Sequence, residues 1–157
     1  MPAKPLTVGT KVPAFSRPVT GGGEWRLADA KGNWCVLYFY PRDNTPGCTS
    51  EGQAFAALHA KFRKAGAMIV GVSPDTLAAH EKFKAKQGFP FALLSDEDRS
   101  LCERFDVIRE KTLYGRKFMG VERSTFLIDG AGVLRREWRK VKVPGHADAV
   151  LAAIKEF

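Results

Sequence analysis

The chain has 157 residues, of which 45% are hydrophobic and 27% charged, and its formal net charge is +8. This length suits a single domain over residues 1–157 that buries a core without disulfide staples. No apolar run approaches the roughly 20 residues that a membrane span needs. Lysine and arginine are spread from Lys4 to Lys155, so the charge favours anionic substrates or acidic partner proteins, and we predict no nucleic-acid or membrane partner.

The chain start and the cysteine count indicate a reducing compartment. The first six residues lack the charged start, apolar core and small-residue cleavage site of a secretory signal, which predicts a cytoplasmic location. Three cysteines, Cys35, Cys48 and Cys102, cannot form a disulfide scaffold, because at least one of them stays unpaired. A lone cysteine in a turn is then more typical of a reactive thiol than of a structural one.

The first half of the chain predicts a hairpin, a buried strand and a helix. After an extended lead-in over residues 1–15, three consecutive glycines separate two short strands of a β-hairpin within residues 17–27. Residues 34–40 are continuously apolar and aromatic, which is typical of a central strand buried on both faces. The apolar spacing within residues 51–64 predicts a helix.

The second half alternates strands and helices. We predict that a helix opens at Pro74, with Ser73 as its N-cap, and continues to about Lys86. The remaining predicted elements are a second buried strand at 67–72, a third strand at 91–94, a short helix at 96–105, an antiparallel pair at 124–129 and 132–139, and a final helix at 147–156. This order predicts an α/β, thioredoxin-like fold with a central mixed sheet flanked by helices.

The chemistry concentrates where the central strand ends. In open α/β sheets, ligands bind beyond the carboxyl ends of the strands. Pro41 ends the strand, Pro46 and Gly47 shape a turn, and a helix is expected to begin around Cys48. A thiol in a first helical turn meets unpaired N–H groups and the positive end of the helix dipole, and both favour the nucleophilic thiolate. Thr45 can offer its hydroxyl to the sulfur or to a bound oxygen. The alternative is a small apolar residue that fills a helix start.

The residues of this loop resemble a known family. The pattern Pro41-x-x-x-Thr45-x-x-Cys48 is similar to the active-site signature of peroxiredoxins, and the run 39–49 looks like the bacterioferritin-comigratory, or Q-type, branch. Segments 8–15, 118–120 and 123–129 are similar to other blocks of that family, in the right order. The resemblance implies an antioxidant thiol peroxidase that reduces hydrogen peroxide and organic hydroperoxides through a cysteine sulfenic acid.

The resemblance also implies a role for each site residue. Cys48 would be the peroxidatic nucleophile, Thr45 would hydrogen-bond the peroxide, and Pro41 would shield the thiolate from water. Arg123 would hold the thiolate and polarise the O–O bond, since arginine offers a permanently charged fork of donors. The backbone N–H of Gly47, or that of Cys48, would donate to the peroxide and stabilise the charge that leaves.

Two residues admit a simpler interpretation. Arg123 could be a surface arginine that merely precedes a strand. Glu51 fits an exposed position near a helix start, where an acidic residue interacts favourably with the helix dipole. We therefore predict no chemical role for Glu51.

The sequence departs from the family in how the oxidised cysteine is recycled. Many Q-type members carry a resolving cysteine five residues after the nucleophile, where this chain has Gln53, and the helix predicted at 74–86 has no cysteine either. Cys35 and Cys102 are expected in the core. Cys102 is a doubtful resolving residue. A disulfide with Cys48 requires Cα atoms within about 7 Å, and nothing in the sequence indicates that the two residues come so close. We predict a one-cysteine mechanism with an external thiol, such as thioredoxin, glutaredoxin or glutathione, and the resemblance favours a monomer.

Two other functions stay open. A thioredoxin-like disulfide reductase normally needs a Cys-x-x-Cys pair, which is absent here, and a non-catalytic binding module needs no reactive thiol. No metal site is predicted, since His59, His80 and His146 are dispersed along the chain. No dinucleotide fingerprint is present, so no bound cofactor is expected.

Overall fold

The computed structural model describes residues 6–157, so the first five residues of the predicted lead-in lie outside the described part. Residues 6–157 form nine strands: β1 (Ser16–Pro18), β2 (Glu24–Arg26), β3 (Trp34–Phe39), β4 (Ala67–Ser73), β5 (Ala92–Ser95), β6 (Ile108–Leu113), β7 (Arg116–Val121), β8 (Ser124–Ile128) and β9 (Leu134–Trp138). Its α-helices are α1 (Pro46–Ala57), α2 (His59–Lys64), α3 (Leu77–Gln87), α4 (Ser100–Arg104) and α5 (His146–Lys155). Within residues 6–157, no helix combines the length and hydropathy of a membrane span.

A five-stranded mixed sheet forms the centre of the molecule. Its order is β5-β4-β3-β8-β9, with β3, β4 and β5 parallel to one another and β8 antiparallel to both β3 and β9. Strands β1 and β2 pair as the predicted N-terminal hairpin. The predicted mixed sheet with flanking helices is therefore confirmed.

The central strand β3 separates two hydrophobic cores, because successive side chains of a strand point to opposite faces. Cys35, Leu37 and Phe39 belong to one core, which also contains residues of α4 and of β2. The alternate residues Val36 and Tyr38 belong to the other core, together with residues of α1, α2, α3 and α5. Aromatic side chains on both faces explain the continuous apolar run that predicted this strand.

The first helix begins earlier than predicted. It starts at Pro46 rather than around Cys48, since the fixed φ of proline suits the first helical position. The single helix predicted at 51–64 is also wrong, because the helical conformation is interrupted at Leu58, between α1 and α2. Cys48 is consequently the third residue of α1, within its first turn.

Two other helices start later than predicted, because the side chain of a preceding residue accepts the free N–H groups of the first turn. Thr76, not Ser73, is the N-cap of α3, and its hydroxyl accepts the Ala79 N–H at 3.1 Å. The helix predicted at 96–105 is reduced to Ser100–Arg104. Asp96 lies before it and accepts the N–H groups of Leu101 and Cys102 at 3.1 and 2.7 Å, so residues 96–99 form a turn instead.

The sequence prediction missed the hairpin of β6 and β7. The two strands pair antiparallel from Ile108 with Val121 to Leu113 with Arg116. Tyr114 and Gly115 form the turn with φ values of 52° and 75°, which is the left-handed geometry that tight hairpins require. This hairpin forms its own two-stranded sheet, separate from the central one.

Candidate active site

Cys48 lies at the carboxyl end of β3, where the open sheet places a ligand site. The loop of residues 40–45 leads from that strand to α1. The hydrogen bond from the Thr49 N–H to the Thr45 carbonyl, at 2.9 Å, opens the helix. The N–H groups of Gly47 and Cys48 come before this hydrogen bond, in the first turn of α1, where N–H groups have no intrahelical partner. These donors and the helix dipole favour negative charge at this position.

Arg123 reaches the sulfur because of the sheet register. Strand β8 begins at Ser124, which pairs with Phe39 near the end of β3. Arg123 directly precedes this strand, so it lies beside the start of α1. Its Nη2 atom lies 3.4 Å from the Cys48 sulfur. The structure thus brings together two of the residues that the sequence selected 75 positions apart.

Gly47 makes room for this contact. A Cβ atom at position 47 would lie 3.0 Å from Arg123 Nη2, which is closer than ordinary van der Waals contact. Any larger residue would push the guanidinium away from its place. The glycine that was selected for its backbone N–H therefore also permits the arginine to approach.

Glu51 is the site residue that the sequence prediction missed. Its side chain is only 1% exposed, and its Oε1 accepts a hydrogen bond from Arg123 Nη1 at 2.7 Å. The spacing of three residues from Cys48 puts both side chains on one face of α1, which is the sequence signal that could have revealed it. The exposed position predicted for Glu51 is wrong, because Arg123, 72 positions along the chain, donates a hydrogen bond to its buried carboxyl group.

Burial and charge oppose one another at this arginine–glutamate pair. Burial raises the pKa of Glu51 to about 7, and the Arg123 guanidinium limits that rise. Burial disfavours the charged form of Arg123, but the neighbouring Glu51 and Cys48 outweigh this effect and raise the pKa of Arg123. One guanidinium therefore holds a carboxylate with one nitrogen and a sulfur with the other.

We expect Glu51 to impose a pH dependence on stability. Its pKa rises from the ordinary glutamate value of 4.5 to about 7 in the folded protein, so between these values the folded state keeps a proton that the unfolded chain has released. The stability that Glu51 contributes is fully present below the lower value and is lost as the pH rises to the upper one. Urea unfolding across this range should show a decline that Glu51→Gln flattens.

The matched control for this prediction is Glu103→Gln, since Glu103 is an exposed glutamate in α4. It should keep the wild-type dependence of the unfolding free energy on pH. A Glu51→Gln protein with the wild-type slope between these pH values would contradict the assignment of that slope to Glu51.

The structure places Thr45 and Pro41 in the same loop, without a hydrogen bond between Thr45 and the sulfur. The Thr45 hydroxyl donates to the Arg42 carbonyl at 2.8 Å. The lone pairs of the Thr45 oxygen can therefore accept a hydrogen bond from a peroxide O–H. The sequence left two partners open for this hydroxyl, the sulfur and a bound oxygen, and this geometry favours the bound oxygen. Pro41 is half-buried at the start of the loop, and its role as a shield stays a prediction.

A buried polar network holds this loop against α3. The Asp43 carboxylate accepts the Tyr40 hydroxyl at 2.7 Å, and its other oxygen lies 2.7 Å from His80 Nδ1. His80 Nε2 donates to the Leu94 carbonyl at 2.8 Å, and the Asp43 N–H donates to Asp75 at 2.9 Å. Ligand-type atoms of Asp43, Asp75 and His80 lie within 4.8 Å of one another. Asp43 and His80 are joined by a direct hydrogen bond that links the loop to α3, and we assign this cluster to positioning the loop.

The other two cysteines lie in the opposite core from Cys48. Cys35 and Cys102 belong to the core that contains Leu37, on the far face of the sheet. Cys35 is 1% exposed, and burial raises its pKa to about 12. Cys102 is fully buried, and burial followed by the nearby Asp96 raises its pKa. Their predicted core positions are confirmed, and the sheet stands between each of them and the nucleophile.

These contacts define what the site can do chemically. A thiolate at this helix start can attack an electrophilic oxygen, while a guanidinium and backbone donors stabilise the charge on the departing one. This is the chemistry of a thiol peroxidase on a thioredoxin-like sheet.

Comparison with known proteins identifies the family. The AhpC/TSA family model matches residues 8–137. The chain is 56% identical to peroxiredoxin Bcp of Xanthomonas campestris pv. campestris over 137 residues, which cover 87% of this chain and 86% of that protein. It is 46% identical to peroxiredoxin Bcp of Bacillus subtilis over 152 residues, 97% of each. The chain belongs to the AhpC/TSA family, in the branch of the Bcp peroxiredoxins, and is a thiol-dependent peroxidase.

A solved structure supports the same conclusion. The bacterioferritin comigratory protein of Xanthomonas campestris superposes with a TM-score of 0.86 at 54% identity, over 90% of each chain. Its trapped intermediate and ligand complexes give insight into the alkyl peroxide reduction activity of that protein. The predicted thioredoxin-like peroxiredoxin fold is confirmed.

Proposed function

We propose that Cys48 is the peroxidatic nucleophile of a one-cysteine peroxiredoxin that reduces hydrogen peroxide and organic hydroperoxides. The observation that carries this proposal is the contact of 3.4 Å between Arg123 Nη2 and the Cys48 sulfur, in the first turn of α1. The alkyl peroxide activity of the Xanthomonas relative favours organic hydroperoxides as substrates. The antioxidant role follows from removal of these oxidants.

The reaction takes place in one displacement. The Cys48 thiolate attacks the terminal oxygen of the peroxide, so an S–O bond forms as the O–O bond breaks. The sulfur is oxidised by two electrons to the sulfenic acid, and the departing alkoxide or hydroxide takes a proton to become an alcohol or water. Arg123 and the backbone N–H of Gly47 or Cys48 stabilise the departing oxygen, while Thr45 accepts the peroxide O–H and Pro41 limits access of water.

Recycling uses an external thiol, since the two other cysteines lie behind the sheet. Thioredoxin, glutaredoxin and glutathione are the candidate reductants. The enzyme is proposed to work in the cytoplasm as a monomer, and neither a metal nor a cofactor has a part in the reaction. Cys102 becomes a resolving cysteine only if α1 or α4 unfolds, because Cys102 belongs to the core that lies across the sheet from Cys48.

The test is consumption of hydrogen peroxide and cumene hydroperoxide with dithiothreitol as reductant, beside an insulin-reduction assay. We expect saturable peroxide consumption, formation of a Cys48 sulfenate that dimedone traps, and no insulin reduction. Insulin reduction without peroxide consumption would instead identify a disulfide reductase. A chain that does neither, with no trapped sulfenate, would be a binding module.

A further inference from the structure

The β6–β7 hairpin, residues 108–121, is the most exposed apolar feature of the described structure. Four large hydrophobic side chains on it are exposed: Leu113 by 57%, Tyr114 by 96%, Phe118 by 45% and Met119 by 50%. The strand register puts Leu113 and Phe118 on one face of the hairpin and Met119 on the other, with Tyr114 in the turn. Exposed apolar side chains gathered at the outer end of a hairpin mark an interaction surface.

Charge surrounds these side chains. The hairpin carries a formal net charge of +3, from Arg109, Lys111, Arg116 and Lys117 against Glu110. Asp106 and Glu122 pair with Arg109 at the base, so the positive charge is concentrated near the turn, on Arg116 and Lys117. Two copies of the hairpin would repel each other, which disfavours self-association through this surface. A partner with an apolar contact face and an acidic rim complements both properties.

The hairpin is joined directly to the reaction centre. Strand β7 ends at Val121, two residues before the arginine that contacts the nucleophile. Lys111 extends back to this end of the hairpin, where its Nζ donates to the Val121 carbonyl. Burial and the charge of Arg123 lower the pKa of Lys111, and the Cys48 sulfur opposes them. The base of the hairpin therefore lies in the field of the reactive residues.

Cys48 is itself only 2% exposed, so a protein thiol, which is bulkier than a small dithiol, needs a defined approach to it from the neighbouring surface. We propose that the β6–β7 hairpin is the docking surface for a protein reductant, a dithiol protein with an apolar contact face and acidic flanks. This inference rests on the proposed one-cysteine function. Docking beside Arg123 orients the partner so that its thiol reaches the oxidised sulfur.

The docked reaction balances without a further reagent. One partner thiolate attacks the Cys48 sulfenic acid, forming a mixed disulfide and releasing hydroxide, which is protonated to water. The second thiol of the dithiol protein loses its proton and attacks that protein's own sulfur in the mixed disulfide. This step releases the Cys48 thiolate and leaves the partner oxidised to its internal disulfide.

The experiment compares two reductants on the same variants. The probes are an acidic thioredoxin, kept reduced by thioredoxin reductase and NADPH, and the small dithiol dithiothreitol. Tyr114→Ser with Phe118→Ser removes apolar contacts, and Arg116→Glu with Lys117→Glu reverses the charge. We expect each pair to raise the KM for thioredoxin by about tenfold or more, as for loss of central interface residues. The rate with dithiothreitol should not change.

Matched controls come from exposed residues elsewhere. Val8→Ser alters a hydrophobic side chain that is 52% exposed, and Lys86→Glu alters an exposed lysine of α3. Both should keep the wild-type KM for thioredoxin. The charge-reversed pair should also lose most of the salt dependence of that KM, because its favourable long-range attraction is gone.

Several outcomes would overturn the docking surface. Three of them are kinetic: an unchanged KM for thioredoxin in both pairs, an equal loss of rate with dithiothreitol, or a changed KM for cumene hydroperoxide only. The other two are a wild-type dimer that the variants dissociate, and an oxidised protein that glutathione reduces but thioredoxin does not. Failure of the proposed function itself is read separately, as the absence of a trapped Cys48 sulfenate in the unaltered protein.

Discussion

Replacing Cys48 by serine is expected to reduce peroxide consumption to the rate of the reaction without enzyme. A serine hydroxyl in the same place is a weak nucleophile unless a base activates it, and Arg123 cannot act as that base. Stopped-flow measurement of hydrogen peroxide loss, with dithiothreitol as reductant, gives the rate. The melting temperature should stay close to the wild-type value, because the change replaces a single side-chain atom and leaves the Arg123–Glu51 pair in place.

The matched controls are Cys35→Ala and Cys102→Ala. Both remove thiols from the opposite core, so they should lower stability but retain most of the second-order rate constant with peroxide. Loss of peroxidase activity in a folded Cys102→Ala protein, with Cys48 intact, would contradict the one-cysteine mechanism.

Replacing Arg123 by glutamine is expected to lower kcat/KM for hydrogen peroxide by roughly 10²–10³, the usual cost of removing one donor to a developing oxyanion. The change also removes the positive charge that lies 3.4 Å from the sulfur. The effect should appear in the rate of sulfenate formation, measured in a single turnover. Recycling by dithiothreitol should change much less.

Two further variants separate catalysis from folding. Arg123→Gln leaves the buried Glu51 carboxyl without its partner, which destabilises the protein. Adding Glu51→Gln removes this unpartnered carboxyl, so stability should recover while the peroxide rate stays low. Arg123→Lys keeps a positive charge but lacks the two nitrogens that contact Glu51 and the sulfur together. Its kcat/KM for hydrogen peroxide should therefore lie between those of the wild type and of Arg123→Gln. Full peroxidase activity in a folded Arg123→Gln protein would contradict the role of Arg123.

The sequence was sufficient for the central strand and for the loop that follows it. An apolar, aromatic run predicts a strand buried on both faces, and proline and glycine in the next segment predict a turn into a helix. Arg123 was selected through resemblance alone, since nothing local to it indicates that β8 begins beside the end of β3. Its position is a consequence of strand order in the sheet.

The features that the sequence did not predict depend on contacts between distant residues. Glu51 looks like a surface residue until Arg123 is placed over it. His80 lies 37 residues from Asp43, so no local pattern pairs them. The β6–β7 hairpin has a recognisable Tyr114-Gly115 turn, but neither face is apolar throughout, and the alternation that marks a half-buried strand is missing.

Mass spectrometry of the unaltered protein, after one equivalent of hydrogen peroxide with and without glutathione, reveals which cysteine is oxidised and to what product. We expect one added oxygen on Cys48 in the absence of glutathione, and a glutathione adduct on Cys48 in its presence. Cys35 and Cys102 should remain reduced in both samples. A disulfide between Cys48 and Cys102, or oxidation confined to a cysteine other than Cys48, would contradict the one-cysteine mechanism.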